Sequence, residues 1–132
     1  LEPPVPEQQQ SYPKNRRPHP VQRVIKATGF SMQGLRWAWK YEQAIRQEMI
    51  VLLVLIPVAL WLDVSPLERL LLLGSWGVVI IVELLNSAVE ATVDRIGIEH
   101  HKLSGRAKDI GSAAVFCAIL LAACSWLVIL LN

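Results

Sequence analysis

The chain has 132 residues, 53% of them apolar and only 18% charged, a length that allows one domain at most. Three apolar stretches, 49–62, 70–93 and 110–131, absorb much of the Leu, Ile, Val and Ala, which argues against a soluble globule and a disulfide-stapled secreted domain. A net charge of +2, from 13 basic and 11 acidic residues, is too small to drive binding to a polyanion such as nucleic acid.

Residues 1–20 hold six of the eight prolines and three consecutive glutamines, the composition of a disordered tail. The tail lacks the apolar core of a signal peptide, and the missing initiator Met fits a trimmed start. Residues 21–40 read as an amphipathic helix. Val21, Val24, Ile25, Thr28, Met32, Leu35 and Trp39 follow the i, i+3, i+4, i+7 pattern, with Arg23, Lys26, Arg36 and Lys40 on the opposite half. With Trp37 and Trp39 at its end, such a helix is expected to lie in a membrane interface, the other reading being a soluble helix covering a core. Gly29 and Gly34 weaken it.

Three membrane spans are predicted, at about 44–62, 67–93 and 110–131, each near the length a bilayer requires. Pro57 falls inside the first and is tolerable where neighbours satisfy the freed carbonyl; Asp63-Val-Ser-Pro66 forms the turn to the second. Seven Lys/Arg precede the first span and Arg46 lies in its first turn, Arg69 alone follows it, four lie between the second and third, and none follow the third. The positive-inside rule therefore places the N-terminus and the 94–109 loop in the cytoplasm and the C-terminus outside. In the third span Gly111, Ala114, Ala118, Ala122 and Ser125 form a stripe of small residues suited to close helix packing. Cys117 and Cys124, seven residues apart, share a helix face roughly 10 Å apart along the axis, too far for a bridge, and read as packing residues.

The second span ends in a run of polar residues: Glu83, Asn86, Ser87, Glu90, Asp94. At about 100° per residue, the three acids fall within roughly 40° of one another and Asn86 some 60° to one side. A charged group inside a bilayer costs about 2.5–3.5 kcal/mol on insertion scales, and like charges on one face repel. The arrangement calls for a cation, a proton or a basic partner, and points to a cation site at the cytoplasmic membrane boundary with a carboxylate available as a base. The competing reading is an ion-paired seam using Arg95, Lys102 or Arg106. Glu42 and Glu48, with Arg46 between them, lie at matching depth and would complete such a site across helices. The 94–109 loop brings Glu99, His100, His101, Lys102, Arg106, Lys108 and Asp109, donors that suit an anionic ligand such as phosphate. It holds neither GxxxxGK[ST] nor GxGxxG, and adjacent histidines make a poor zinc site.

The run ELLNSAVEATVD at 83–94 resembles the signature of the prokaryotic integral-membrane diacylglycerol kinases. RVIKATGFSMQGLRWAWKYEQAIRQE at 23–48, WLDVS at 61–65 and KLSGRAKDIGSAAV at 102–115 are similar to that family too, in order and at matching spacing. The resemblance covers about residues 20–132. It implies an all-α membrane protein, a surface helix plus three transmembrane helices, assembled as a homotrimer with active sites shared between subunits. The implied reaction moves the γ-phosphate of ATP to the hydroxyl of diacylglycerol, with Mg²⁺, in the bacterial inner membrane. Carried over, Glu83 resembles the catalytic base and Asn86 belongs to the same constellation; Glu42 and Glu90 resemble the metal-binding carboxylates that also hold the nucleotide phosphates. Arg23, Phe30, Glu99, His100, His101, Lys108 and Asp109 fall at nucleotide-side positions. Phe30 stands where an aromatic hydroxyl is common, and His101 lies in a variable stretch. Arg23, Arg36, Trp39, Arg46, Glu48, Glu83 and Ser112 fall at lipid-side positions. An undecaprenol kinase would show the same signature; the SGRAKDIGSAAV run and the WLDV turn look more like the diacylglycerol branch. From another class, a small ion-coupled exporter would use an intramembrane Glu nearer the bilayer midplane, and a non-enzymatic membrane scaffold is the remaining reading.

Overall fold

A computed structural model describes residues 19–97 and 99–132; all but the last two residues of the expected disordered tail lie outside them. The described residues form four helices, α1 (Pro20–Tyr41), α2 (Gln43–Trp61), α3 (Pro66–Ile96) and α4 (Lys102–Leu130). Among the described residues there is no strand, and α2, α3 and α4 are each long and apolar enough to cross a membrane. The described residues have the all-helical architecture of a membrane protein.

Contacts divide the chain after Gly34. In the first unit the described residues are the N-terminal part of α1, all of them exposed. Thr28 and Ser31 donate their hydroxyls to the carbonyls of Val24 and Ala27, one turn back, at 2.8 and 2.9 Å. These hydroxyls are thereby satisfied on their own helix, and Gly29 and Gly34 do not interrupt it.

The second unit begins in the last turns of α1, where Trp37 stacks on Tyr41 with centroids 4.9 Å apart. Glu42 alone separates α1 from α2, its backbone extended. Arg46 closes the junction by donating to the carbonyls of Trp39 and Lys40 at 2.8 and 3.1 Å, groups that the end of a helix leaves without partners. Pro57 sits inside α2 without ending it.

Between α2 and α3, Ser65 forms a reciprocal cap. Its hydroxyl accepts from the Glu68 backbone N–H at 3.2 Å and donates to the Glu68 carboxylate at 3.0 Å, while Pro66 occupies the first helical turn, where a missing N–H costs nothing. Arg69 reaches back to the end of α2 and donates to the carbonyls of Ala59 and Leu62 at 2.8 and 3.1 Å. Replacing Arg69 with Met is expected to lower stability by about 2 kcal/mol, because charged hydrogen bonds to partly buried carbonyls are lost. Thermal unfolding in detergent micelles measures this; an unchanged midpoint would remove Arg69 from the junction.

α3 packs against both α2 and α4. Leu72 and Val79 are its fully buried side chains, and Val79 meets Ala118 and Ala122 of α4, flanked by Trp76 and Val82. Three members of the small-residue stripe therefore face α3 within one chain, Ala118 and Ala122 in this cluster and Gly111 farther along (below). Two indole N–H groups cross to a neighbouring helix backbone: Trp76 donates to the Glu48 carbonyl on α2 at 2.9 Å, and Trp126 donates from α4 to the Leu72 carbonyl at 3.1 Å. Such bonds hold helices together where lipid gives no hydrophobic drive to associate. Away from these seams the apolar side chains point outward; Leu53, Leu85 and Phe116 are all more than 60% exposed. A surface of that kind belongs in lipid or against another subunit.

Helix and apolar stretch do not coincide. α3 runs to Ile96, and α4 starts at Lys102, eight residues before the third apolar stretch. Most of the 94–109 segment is thus helical rather than loop, leaving Gly97 to His101 as the connection. The reason is local: His101 caps α4, its Nδ1 accepting from the Leu103 N–H at 3.0 Å, and Gly105 sits within the new helix without breaking it.

Candidate active site

The polar run of α3 begins where its apolar part ends. Glu83 and Asn86 are both 8% exposed, so the helix turns this face inward although it carries an acid and an amide. Asn86 lies between two carboxylates, one turn from each. Its side-chain amide interacts with Glu83, three residues back, and its Nδ2 stands 3.5 Å from Glu90 Oε1. The amide N–H₂ has two donors and suits a site between two anionic groups.

Other carboxylates converge on this face. The charges of Glu90 and Glu42 both bear on Glu83, and that of Glu83 bears on Glu48. Glu42 is the N-terminal flanking residue of α2 but makes no capping bond with its side chain, so its carboxylate is free for another ligand. Glu48 is fixed through its own carbonyl by Trp76, and its Oε2 is buried without a hydrogen-bond partner, as is Ser87 Oγ.

The fourth acid behaves differently. Asp94 is exposed and pairs with Lys108 of α4 at 2.7 Å. Among the described residues this is the one ion pair, so no Lys, Arg or His approaches Glu42, Glu48, Glu83 or Glu90 to salt-bridge distance. The competing seam, built on Arg95, Lys102 or Arg106, is not formed there among the described residues. A like-charge cluster with Glu83 buried, Glu42, Glu48 and Glu90 half-buried and no basic partner is costly unless a cation or proton joins it.

The remaining predicted residues sit as follows. Arg46 donates from Nη1 to the end of α1, and Arg36 and Trp39 are exposed on that helix. Glu99, His100, Asp109 and Ser112 are exposed around the start of α4, and His101 caps it. Arg23 and Phe30 lie in the first unit, exposed on α1. Thus Glu42, Glu48 and Glu90 lie within electrostatic reach of Glu83 in the second unit, with Asn86 beside Glu90. Trp76, bonded to the Glu48 carbonyl, adjoins this site without having been read as functional. The tryptophan lay in an apolar run, where nothing in the sequence separates a lipid-facing indole from one bonded to a neighbouring helix.

A family model described as prokaryotic diacylglycerol kinase matches residues 29–130. The chain is 56% identical over 108 residues to the diacylglycerol kinase of Escherichia coli K12, covering 82% of this chain and 88% of that protein. It is 50% identical over 112 residues to the diacylglycerol kinase of Pseudomonas aeruginosa, covering 85% and 91%. Identity to the diacylglycerol kinase of Helicobacter pylori J99 is 38% over 104 residues, covering 79% and 81%. The chain belongs to the prokaryotic diacylglycerol kinase family.

Proposed function

We propose that the inward acidic face of α3 is where this diacylglycerol kinase moves the γ-phosphate of ATP to the hydroxyl of diacylglycerol, giving phosphatidic acid and ADP. The observation that carries the assignment is the group of four carboxylates, Glu42, Glu48, Glu83 and Glu90, with no basic side chain at salt-bridge distance among the described residues.

Glu83 acts as the base. As the lipid oxygen forms its bond to phosphorus, the bond from phosphorus to the β–γ bridging oxygen breaks, and the hydroxyl proton passes to the Glu83 carboxylate. A lipid alcohol has no acidity of its own at neutral pH, so the acceptor must stand beside it. Asn86 orients the carboxylates on either side of it.

Glu42 and Glu90 are the residues that would hold Mg²⁺. Among the described residues no three His, Cys, Asp or Glu side chains are grouped to enclose a metal, but Mg²⁺ is usually bound by one or two carboxylates together with substrate phosphates and waters. The uncapped Glu42 carboxylate and the cation-free cluster fit that donor set. When bound, the ion neutralises charge on the β- and γ-phosphates and aligns them.

Nucleotide contacts are assigned to Arg23, Phe30, Glu99, His100, His101, Lys108 and Asp109, and lipid-side contacts to Arg23, Arg36, Trp39, Arg46, Glu48 and Ser112. We place the enzyme in the bacterial inner membrane with residues 21–40 as an interfacial helix, the N-terminus and residues 94–109 cytoplasmic, and the C-terminus outside; the distribution of Lys and Arg supports this. Assembly as a homotrimer with shared sites is supported by the exposed apolar faces of α2, α3 and α4, since three spans alone can hardly enclose a lipid and a nucleotide.

The test is transfer of labelled phosphate from ATP in mixed micelles to diacylglycerol and, separately, to undecaprenol, with Mg²⁺ and after its removal by a chelator. Faster transfer to diacylglycerol, abolished by the chelator and restored by Mg²⁺, is expected. Preference for the isoprenoid alcohol would reverse the substrate assignment. ATP use indifferent to lipid and metal would overturn the reading of the site.

A further inference from the structure

The contact between α3 and α4 at the acidic face is made by a glycine. A Cβ added at Gly111 would collide with Asn86 Oδ1 and come within 3.2 Å of Asn86 Cγ, and its three nearest neighbours all belong to the Asn86 side chain. The same Oδ1 is buried without a hydrogen-bond partner. One side of the Asn86 amide is therefore closed off by bare backbone of α4, while its Nδ2 faces the carboxylates. Gly74 and Gly77, also on α3, have nothing within 4 Å of the place a Cβ would take, so open space is the rule for these glycines and Gly111 the exception.

We infer that Gly111 is a positioning residue for the phosphotransfer: the missing side chain on α4 is what lets the Asn86 amide remain between Glu83 and Glu90. The inference rests on the assignment of Asn86 to the active site. Its physical content is specific. The colliding atom is the far end of a side chain, not backbone, so an added methyl group is accommodated by rotation of Asn86 rather than by separation of the helices. Rotation takes Nδ2 away from the carboxylates. The damage then falls on catalysis while the fold persists, the reverse of what an ordinary packing glycine would give.

The experiment is a double-mutant cycle of Gly111→Ala and Asn86→Ala, read as kcat, KM for each substrate, Mg²⁺ half-saturation and unfolding midpoint in micelles. Gly74→Ala provides a control for the helix propensity gained when Ala replaces Gly. Gly111→Ala is expected to lower kcat about tenfold or more, as small displacements of positioned groups do, and to shift Mg²⁺ half-saturation, with a midpoint no lower than that of Gly74→Ala. In the Asn86→Ala background the same change is expected to cost nothing further, in activity or in midpoint, because the colliding atoms are gone. Full activity in Gly111→Ala overturns the inference, as does a double mutant whose loss is the product of the two single losses. If Gly111→Ala fails to fold, a double mutant that folds no better also overturns it. Full activity in Asn86→Ala instead brings down the assignment of Asn86 itself, a result separable from the others because it requires no change at Gly111.

Discussion

Glu83→Gln is expected to lower kcat by about a hundredfold to ten-thousandfold, the range associated with loss of a positioned general base. Gln keeps the size of the side chain and one acceptor oxygen but cannot take a proton. KM for ATP is expected to change little, because Glu83 belongs to the reacting proton and not to the nucleotide phosphates. Folding is expected to survive: removing one charge from a face that also feels Glu42, Glu48 and Glu90 relieves repulsion, so the unfolding midpoint stays level or rises. Loss of activity accompanied by a gain in stability would be hard to obtain from a merely structural acid. Activity near wild type would show that the proton goes elsewhere. Glu48 would then be the next candidate, having a buried carboxylate oxygen with no hydrogen-bond partner.

Much of this architecture was legible from patterning alone. Three apolar stretches set the spans, and the Asp63-Val-Ser-Pro66 turn marked the start of α3. The acidic stripe could be placed on one face because a helix repeats every 3.6 residues. Legibility ended where an interaction crossed between helices. Asp94 shares the angular position of Glu83 and Glu90, yet it is paired with Lys108, since α4 begins early enough to bring that lysine alongside. Arg46, read at a lipid-side position, also holds the end of α1 through Nη1, a use visible only once Glu42 is seen to break the helix. Gly111 read as one small residue in a packing stripe, and its tie to Asn86 depends on the register of α3 against α4, which no single helix encodes.

The cation-free cluster leads to the second large expected effect. If Glu42 and Glu90 hold the metal that accompanies the nucleotide, replacing either by Gln leaves one carboxylate where two are required. Glu90→Gln is expected to reduce kcat/KM for the Mg²⁺–ATP complex by about a hundredfold or more, since stabilisation of the transferring phosphoryl group by clamping charges is a major term in this chemistry. Raising Mg²⁺ should recover part of that loss, unlike the loss in Glu83→Gln, which no metal concentration repairs. Glu42→Gln is expected to behave as Glu90→Gln does, and the two together to cost less than the product of the separate losses, because both act on one ion. Asp63→Asn, in the turn between α2 and α3, is the matched control with no expected effect. Direct Mn²⁺ binding followed by electron paramagnetic resonance in the presence of a non-hydrolysable ATP analogue separates metal capture from turnover. Affinity unchanged by either substitution would remove both carboxylates from the metal and leave Glu42 as an uncapped acid at the start of α2.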